Sequence, residues 1–186
     1  MAPGAPGEPV PAVAAMALID IPFAPTYIWR FDPVGFLWYG RTDEYRILQV
    51  SLEGDTVAVH ERAYRPRPVT LEEKVDLIAR SALRDTSWIP STKPIFAAFY
   101  PDDSGRLWVR LTGDDSRPMG ERTTFFDVFD DEGYLASVEA GFWTPVEPAP
   151  AFRGDTVYLV SWEDAGMGSF VLLRALIDRS SAEERR

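Results

Sequence analysis

Along most of the chain, apolar residues come in short runs cut at short intervals by Gly, Pro, Asp and Ser. That is the pattern of β-strands joined by tight turns. Tyr27-Ile-Trp-Arg-Phe31 is the first clear run, and Asp32-Pro-Val-Gly35 turns it into Phe36-Leu-Trp-Tyr39. Tyr45 to Leu52 follows, then the turn Glu53-Gly-Asp55, then Thr56 to Ala63. These four runs predict one set of antiparallel strands.

The pattern then repeats. Ile95 to Tyr100, the turn Pro101-Asp-Asp-Ser-Gly105, Arg106 to Leu111, Thr123 to Phe129, and Tyr134 to Glu139 predict a second set of four. Leu107, Val109 and Leu111 alternate onto one face of their strand. A third set starts near Phe152 and continues with Thr156 to Trp162 and Ser169 to Ile177, without a fourth strand. Gly35-Phe-Leu-Trp38 returns as Gly105-Arg-Leu-Trp108 at the same place in its set, and Gly54-Asp-Thr-Val57 returns as Gly154-Asp-Thr-Val157. Gly supplies the positive φ of a tight turn, and Asp bonds its own following amides. Repeated four-stranded units of this size are the sequence form of propeller blades.

One segment breaks the rhythm. Thr70-Leu-Glu-Glu73 has the form of a capping box, and Leu71, Val75, Ile78, Ala82 and Leu83 fall on one helical face. The spacing predicts an amphipathic helix in an insert spanning 70–84, packed by that face against a rim of the sheets.

Pro22-Phe-Ala-Pro25, Trp29, the Asp-x-x-Gly turn and Tyr45-Arg46 together resemble a blade of bacterial six-bladed β-propeller proteins of the NHL-like kind. Pro68-Val-Thr-x-Glu-Glu73 resembles the insert after that blade. Asp102-Asp-Ser-Gly-Arg-Leu-Trp-Val109, Phe126-Asp-Val-Phe-Asp130 and Gly133-Tyr-Leu135 resemble the next. The resemblance covers residues 20–178. It implies an all-β fold, a partial β-propeller of about two and a half four-stranded antiparallel blades with one short inserted helix. Its expected extent is 13–178, after a flexible lead at 1–12 and before a disordered tail at 179–186. Six blades need roughly 240 residues, so the chain corresponds to the C-terminal portion of such a ring. The expectation is a truncated product, or a subunit completed by another copy. An open arc exposes an apolar sheet face at each end, which predicts self-association.

Composition narrows the partners. A formal charge of −10 argues against general attraction to nucleic acid or anionic membrane. The chain has no cysteine and one histidine, which removes thiolate chemistry, disulfides and any site built on two His. Val13 to Ile21 is broken by Asp20 and lacks a preceding basic region, so it reads as neither a secretory signal nor a membrane span. The family resemblance nonetheless implies an extracytoplasmic protein.

Candidate chemistry is sparse. His60 is expected to be an exposed strand residue rather than a base or metal ligand. The pairs Asp102-Asp103, Asp114-Asp115 and Asp130-Asp131 are read as turn formers rather than calcium ligands, since none fits a calcium-loop pattern. The six tryptophans are expected to pack between sheets rather than to form a sugar platform. Arg46, Arg106 and Trp108 are the ligand contacts expected at an axial funnel. No catalytic, metal or cofactor residues are assigned. The function expected is a non-enzymatic binding or scaffold module for an unknown protein or small-molecule ligand. The alternatives are a metal-dependent propeller hydrolase or lactonase, or a truncated gene product without independent activity.

Overall fold

The computed structural model describes residues 21–81, 83–113, 122–141, 143–154, 156–163 and 169–176. The segments 1–12 and 179–186, Ala82 and the Asp114-Asp115 pair lie outside them. Among the described residues, eleven strands form three antiparallel sheets, as the turn-punctuated runs predict. Sheet I holds β1 (Tyr27–Phe31), β2 (Leu37–Arg41), β3 (Arg46–Val50) and β4 (Thr56–Glu61) in chain order. Sheet II repeats that order with β5 (Phe96–Pro101), β6 (Leu107–Leu111), β7 (Phe125–Asp130) and β8 (Gly133–Glu139). Sheet III has three strands, β9 (Ala151–Arg153), β10 (Thr156–Glu163) and β11 (Ser169–Leu176).

The β1–β2 and β5–β6 turns are built alike. Asp32 Oδ1 accepts the amides of Val34, Gly35 and Phe36 at 2.8–2.9 Å, and Oδ2 accepts the Trp38 indole N–H at 2.9 Å. Asp102 Oδ1 accepts the amides of Ser104 and Arg106, and Oδ2 accepts Arg106 Nε at 2.7 Å and the Trp108 indole at 3.0 Å. Gly35 and Gly105 sit at φ 103° and 81°, where a Cβ is strained. One carboxylate thus closes each turn and fixes the tryptophan that follows it.

Strands β5, β6 and β7 of sheet II are buried on both faces, while β8 at its edge is largely exposed. Phe99, Leu107, Val109 and Phe129 meet Trp38, Tyr45 and Ile47 on one side. Ala98, Tyr100, Trp108, Phe126 and Val128 meet Phe152, Val157 and Leu159 of sheet III on the other. An irregularity between Phe96 and Ala98 shifts the alternation, so Phe96 and Phe99 both serve the sheet I side. Sheets I and II stack like on like, β1 against β5 and β4 against β8. The three sheets share no hydrogen-bonded strand among the described residues, so the runs do not close into one barrel.

A buried polar junction locks sheets I and II. Asp127 of β7, wholly shielded, accepts Tyr45 Oη at 2.6 Å and Arg62 at 2.7 Å, and also the Ser137 hydroxyl. Charge-assisted bonds of this kind contribute about 1.5–3 kcal/mol each.

Three expectations are corrected. Of the tryptophans expected between sheets, Trp38 and Trp108 are buried there, but Trp88 is 53 % exposed and Trp29, on the side of β1 that no described sheet covers, is 62 % exposed. His60 is only 6 % exposed. It pairs with Ile47 in register, stacks on Trp38 with centroids 5.2 Å apart, and meets Phe129 edge-on. The alternation of β4 turns His60 inward and leaves Val57 and Val59 outward, because the outer side of sheet I is itself apolar. The helix α1 (Leu71–Arg80) has the predicted capping box, with Thr70 Oγ1 accepting Glu73 N and Glu73 accepting Thr70 N. Its buried side differs, however. Leu71 and Val75 are 72 % and 57 % exposed, while Leu77 and Ile78 pack on Val69, Leu83 and Ile89. Polar tethers set this rotation: Glu73 holds Lys93, and Lys74 donates to the Ile89 carbonyl at 2.9 Å. They face residues 73, 74, 77 and 78 inward, and leave 71 and 75 outside. No described helix is long and apolar enough to cross a membrane.

Candidate functional site

Where β1 meets β5, the stack leaves a cleft of about 510 Å³, lined by Phe23, Ile28, Arg30, Thr42, Phe96 and Thr112 among others. A recess of about 250 Å³ shares Ala97, Thr112 and Val146 with it and adds Arg110, Thr123, Trp143 and Glu147. Alternation positions the charges. Trp29 and Phe31 face outward on β1, which turns Arg30 to the other side with Ile28. On β6, Arg110 shares the face of Trp108.

The segment 143–147 passes over the sheet edge and is tied down at three points. Thr144 N donates to Thr124 Oγ1 at 2.9 Å, Arg110 donates to the Thr144 carbonyl at 2.6 Å, and Tyr100 Oη donates to the Val146 carbonyl at 2.9 Å. Glu147 then reaches Arg30, with Nη2 and Oε1 2.5 Å apart. Burial pushes the Tyr100 phenol up to about 12; Arg110 and Arg30 oppose the shift and Glu147 adds to it. The phenol therefore stays a donor at neutral pH.

Among the described residues, Arg30 Nε and Thr112 Oγ1 at the cleft and Thr123 Oγ1 at the recess are buried without a hydrogen-bond partner. A donor hidden from water with no acceptor costs about 1–3 kcal/mol. An acceptor reaching Arg30 Nε relieves it, and a carboxylate has the charge for that role.

The expected contacts lie elsewhere. Arg46 opens β3, exposed, 3.7 Å from Glu61, an ion pair of little energetic weight. Arg106 and Trp108 are brought together on Asp102. Arg106 also donates to the Gly154 carbonyl at 3.0 Å, and Trp108 stacks on Phe152 with centroids 4.9 Å apart. None of the three lines the cleft. Asp102 and Asp130 bond the amides of their own turns, as turn-forming residues do, whereas Asp103 accepts the Gly154 amide of sheet III at 3.2 Å. No group of three or more His, Cys, Asp or Glu side chains among the described residues is set to hold a metal ion.

Arg30, Arg110 and Glu147 were not singled out by their sequence. Arg110 carried a usable signal: it falls on the Trp108 face of a strand otherwise apolar on both sides. Glu147 carried none, because its place depends on how the segment 143–147 crosses the edge. Comparison of the chain with protein-family models, with curated proteins and with solved structures gave no match.

Proposed function

We propose that this chain is a non-enzymatic binding module of propeller type. Its stacked sheets form a scaffold, and its ligand is a small carboxylate with an apolar body, held in the cleft at the β1 and β5 edges. The carrying observation is the buried, partnerless Nε of Arg30, a residue that lines the cleft together with Thr112. Phe23, Ile28 and Phe96 supply the apolar wall. Glu147 is committed to Arg30, and Tyr100, held protonated, anchors the segment 143–147 through the Val146 carbonyl, so neither is placed to transfer a proton to a ligand. The like-on-like stacking of sheets I and II supports the propeller-type reading.

The test is thermal unfolding with benzoate and with its neutral isostere benzamide. At tenfold excess over Kd a native-state ligand adds about 1.4 kcal/mol, or roughly 3–6 °C in Tm for a chain of this size. Benzoate is expected to give that rise and benzamide a smaller one. Arg30→Gln is expected to abolish the benzoate rise while leaving the unliganded Tm within about 2 °C, as for a surface-side substitution. Equal shifts for both probes, or a benzoate shift that survives Arg30→Gln, would contradict the reading.

A further inference from the structure

Tyr27, Trp29 and Phe31 alternate along β1 and stand 68 %, 62 % and 59 % exposed. Beside Trp29 in register run Tyr39, Leu48 and Val59; beside Phe31 run Leu37 and Val50. The outer face of sheet I is thus apolar from its first strand to its fourth. Four strands ~4.8 Å apart, three of five residues and one of six, at ~3.4 Å per residue, make a face on the order of 300 Å². That is the size of the largest apolar patch on a typical monomer, which is often functional.

The internal repeat identifies what kind of surface fits there. The turn Asp32–Trp38 corresponds position by position to Asp102–Trp108. Carried along the strands, Trp29 corresponds to Phe99, Leu37 to Leu107 and Tyr39 to Val109. In sheet II those three residues are fully buried, and sheet I covers them with the face that bears Trp38 and His60. Sheet II in turn lays its own Trp108 face on sheet III. Each sheet therefore presents its tryptophan face to the next, and the stack has a direction. Sheet I is left with the receiving face open. At the other end, Val157 and Leu159 of β10 are buried toward sheet II. Tyr158 and Val160 consequently lie on the outer side of sheet III, with Arg174 exposed opposite Tyr158.

We propose that a second copy of this chain occupies the open face, head to tail, its sheet III laid on sheet I as sheet I is laid on sheet II. This continues the junction already present within the chain. A symmetric contact would instead press two receiving faces together, a pairing that neither junction of the chain uses. Head-to-tail contacts are heterologous and generate a ring or a filament. The proposal rests on the stacked-sheet reading and is independent of the ligand in the cleft.

The experiment is sedimentation velocity on the full chain over a concentration series, with two variants. One carries Trp29→Glu with Phe31→Glu; the other carries Tyr158→Glu with Val160→Glu. The wild type is expected to self-associate, and each variant alone to lose at least tenfold in association. Their equimolar mixture is expected to recover a dimer, because each supplies the face the other lacks. That recovery also shows that both variants are folded. Association of the Tyr158/Val160 variant as strong as wild type overturns the proposal in favour of a symmetric sheet I contact. A wild type that stays monomeric at every concentration overturns it too, whether a Trp29→Phe difference spectrum reports Trp29 in water or covered by its own chain. Amide protection in β6 and β7, which either assembly outcome leaves intact, separates failure of this docking from failure of the stacked fold.

Discussion

Trp108 donates its indole N–H to the buried carboxylate of Asp102 at 3.0 Å, across a turn of which Asp102 also holds two amides and a guanidinium. The pair fixes an aromatic ring at the junction of sheets II and III, where it stacks on Phe152. Asp32 and Trp38 repeat the arrangement at the junction of sheets I and II. A single polar residue thus sets the position of the ring on which each junction is built.

Removing that carboxylate has unequal costs at the two turns. Asp102→Ala leaves Arg106 buried and unpaired, and its expected destabilisation is about 3–5 kcal/mol. At Asp32, which is half-buried and holds no cation, the corresponding change removes a hydrogen-bonded cap, an expected loss of about 1–2 kcal/mol. Urea unfolding of both variants checks the order; equal losses would mean that the Arg106 pair contributes nothing.

His60 is the one histidine of the chain, so its titration can be followed without overlap. Burial between Trp38 and Phe129 lowers its pKa below 6.5, against a smaller opposing pull from Asp130. The unfolded chain takes up the proton near 6.5, so the contribution to stability is complete above that pH and is lost as pH falls toward the folded value. An NMR titration of the imidazole is expected to show a midpoint below 6.5. His60→Phe is expected to flatten the pH dependence of stability across that window.

The tyrosines act at the other end of the scale. Burial, then the bond to Asp127, hold the Tyr45 phenol well above its ordinary value of 10.0, and burial raises Tyr100 to about 12. Folding then holds protons that the unfolded chain releases from pH 10 upward. Stability is accordingly full below pH 10 and falls as pH rises beyond it. Absorbance at 295 nm is expected to reveal late-ionising phenols, reduced in number by Tyr45→Phe and by Tyr100→Phe.

Gly40 lies where sheet I closes on sheet II. A Cβ there meets the Arg46 carbonyl at 3.0 Å, Ile47 at 3.1 Å and the Phe96 ring at 3.4 Å. Gly40→Ala is expected to cost about 1–3 kcal/mol by overpacking, read as a lowered midpoint in thermal unfolding.

Strand order and the three-sheet division were legible because turn chemistry is local: Gly35 and Gly105 with their preceding Asp mark hairpins whatever lies around them. Which side of sheet I faces inward was not. Val57, Val59 and His60 suggest apolar-in and polar-out, and the structure has the reverse, because the sheet is apolar on both sides and packing selects the face with Trp38. Helix α1 misled for a similar reason. Leu71 and Val75 obey helical spacing, yet the bonds of Glu73 and Lys74 turn the helix away from them. The cleft escaped notice because Arg30, Thr112 and Glu147 come from three separate segments. No local spacing connects them.

The inner strands of sheet II lie enclosed between sheets I and III. Residue-resolved amide hydrogen exchange measures this directly, since enclosed strands open only with global unfolding. In the Trp29→Glu, Phe31→Glu variant, whose sheet I face stays uncovered, slower exchange is expected in β6 and β7 than in β2 and β3, the matching inner strands of sheet I. Equal protection in the two pairs, as in a two-layer sandwich, would contradict it.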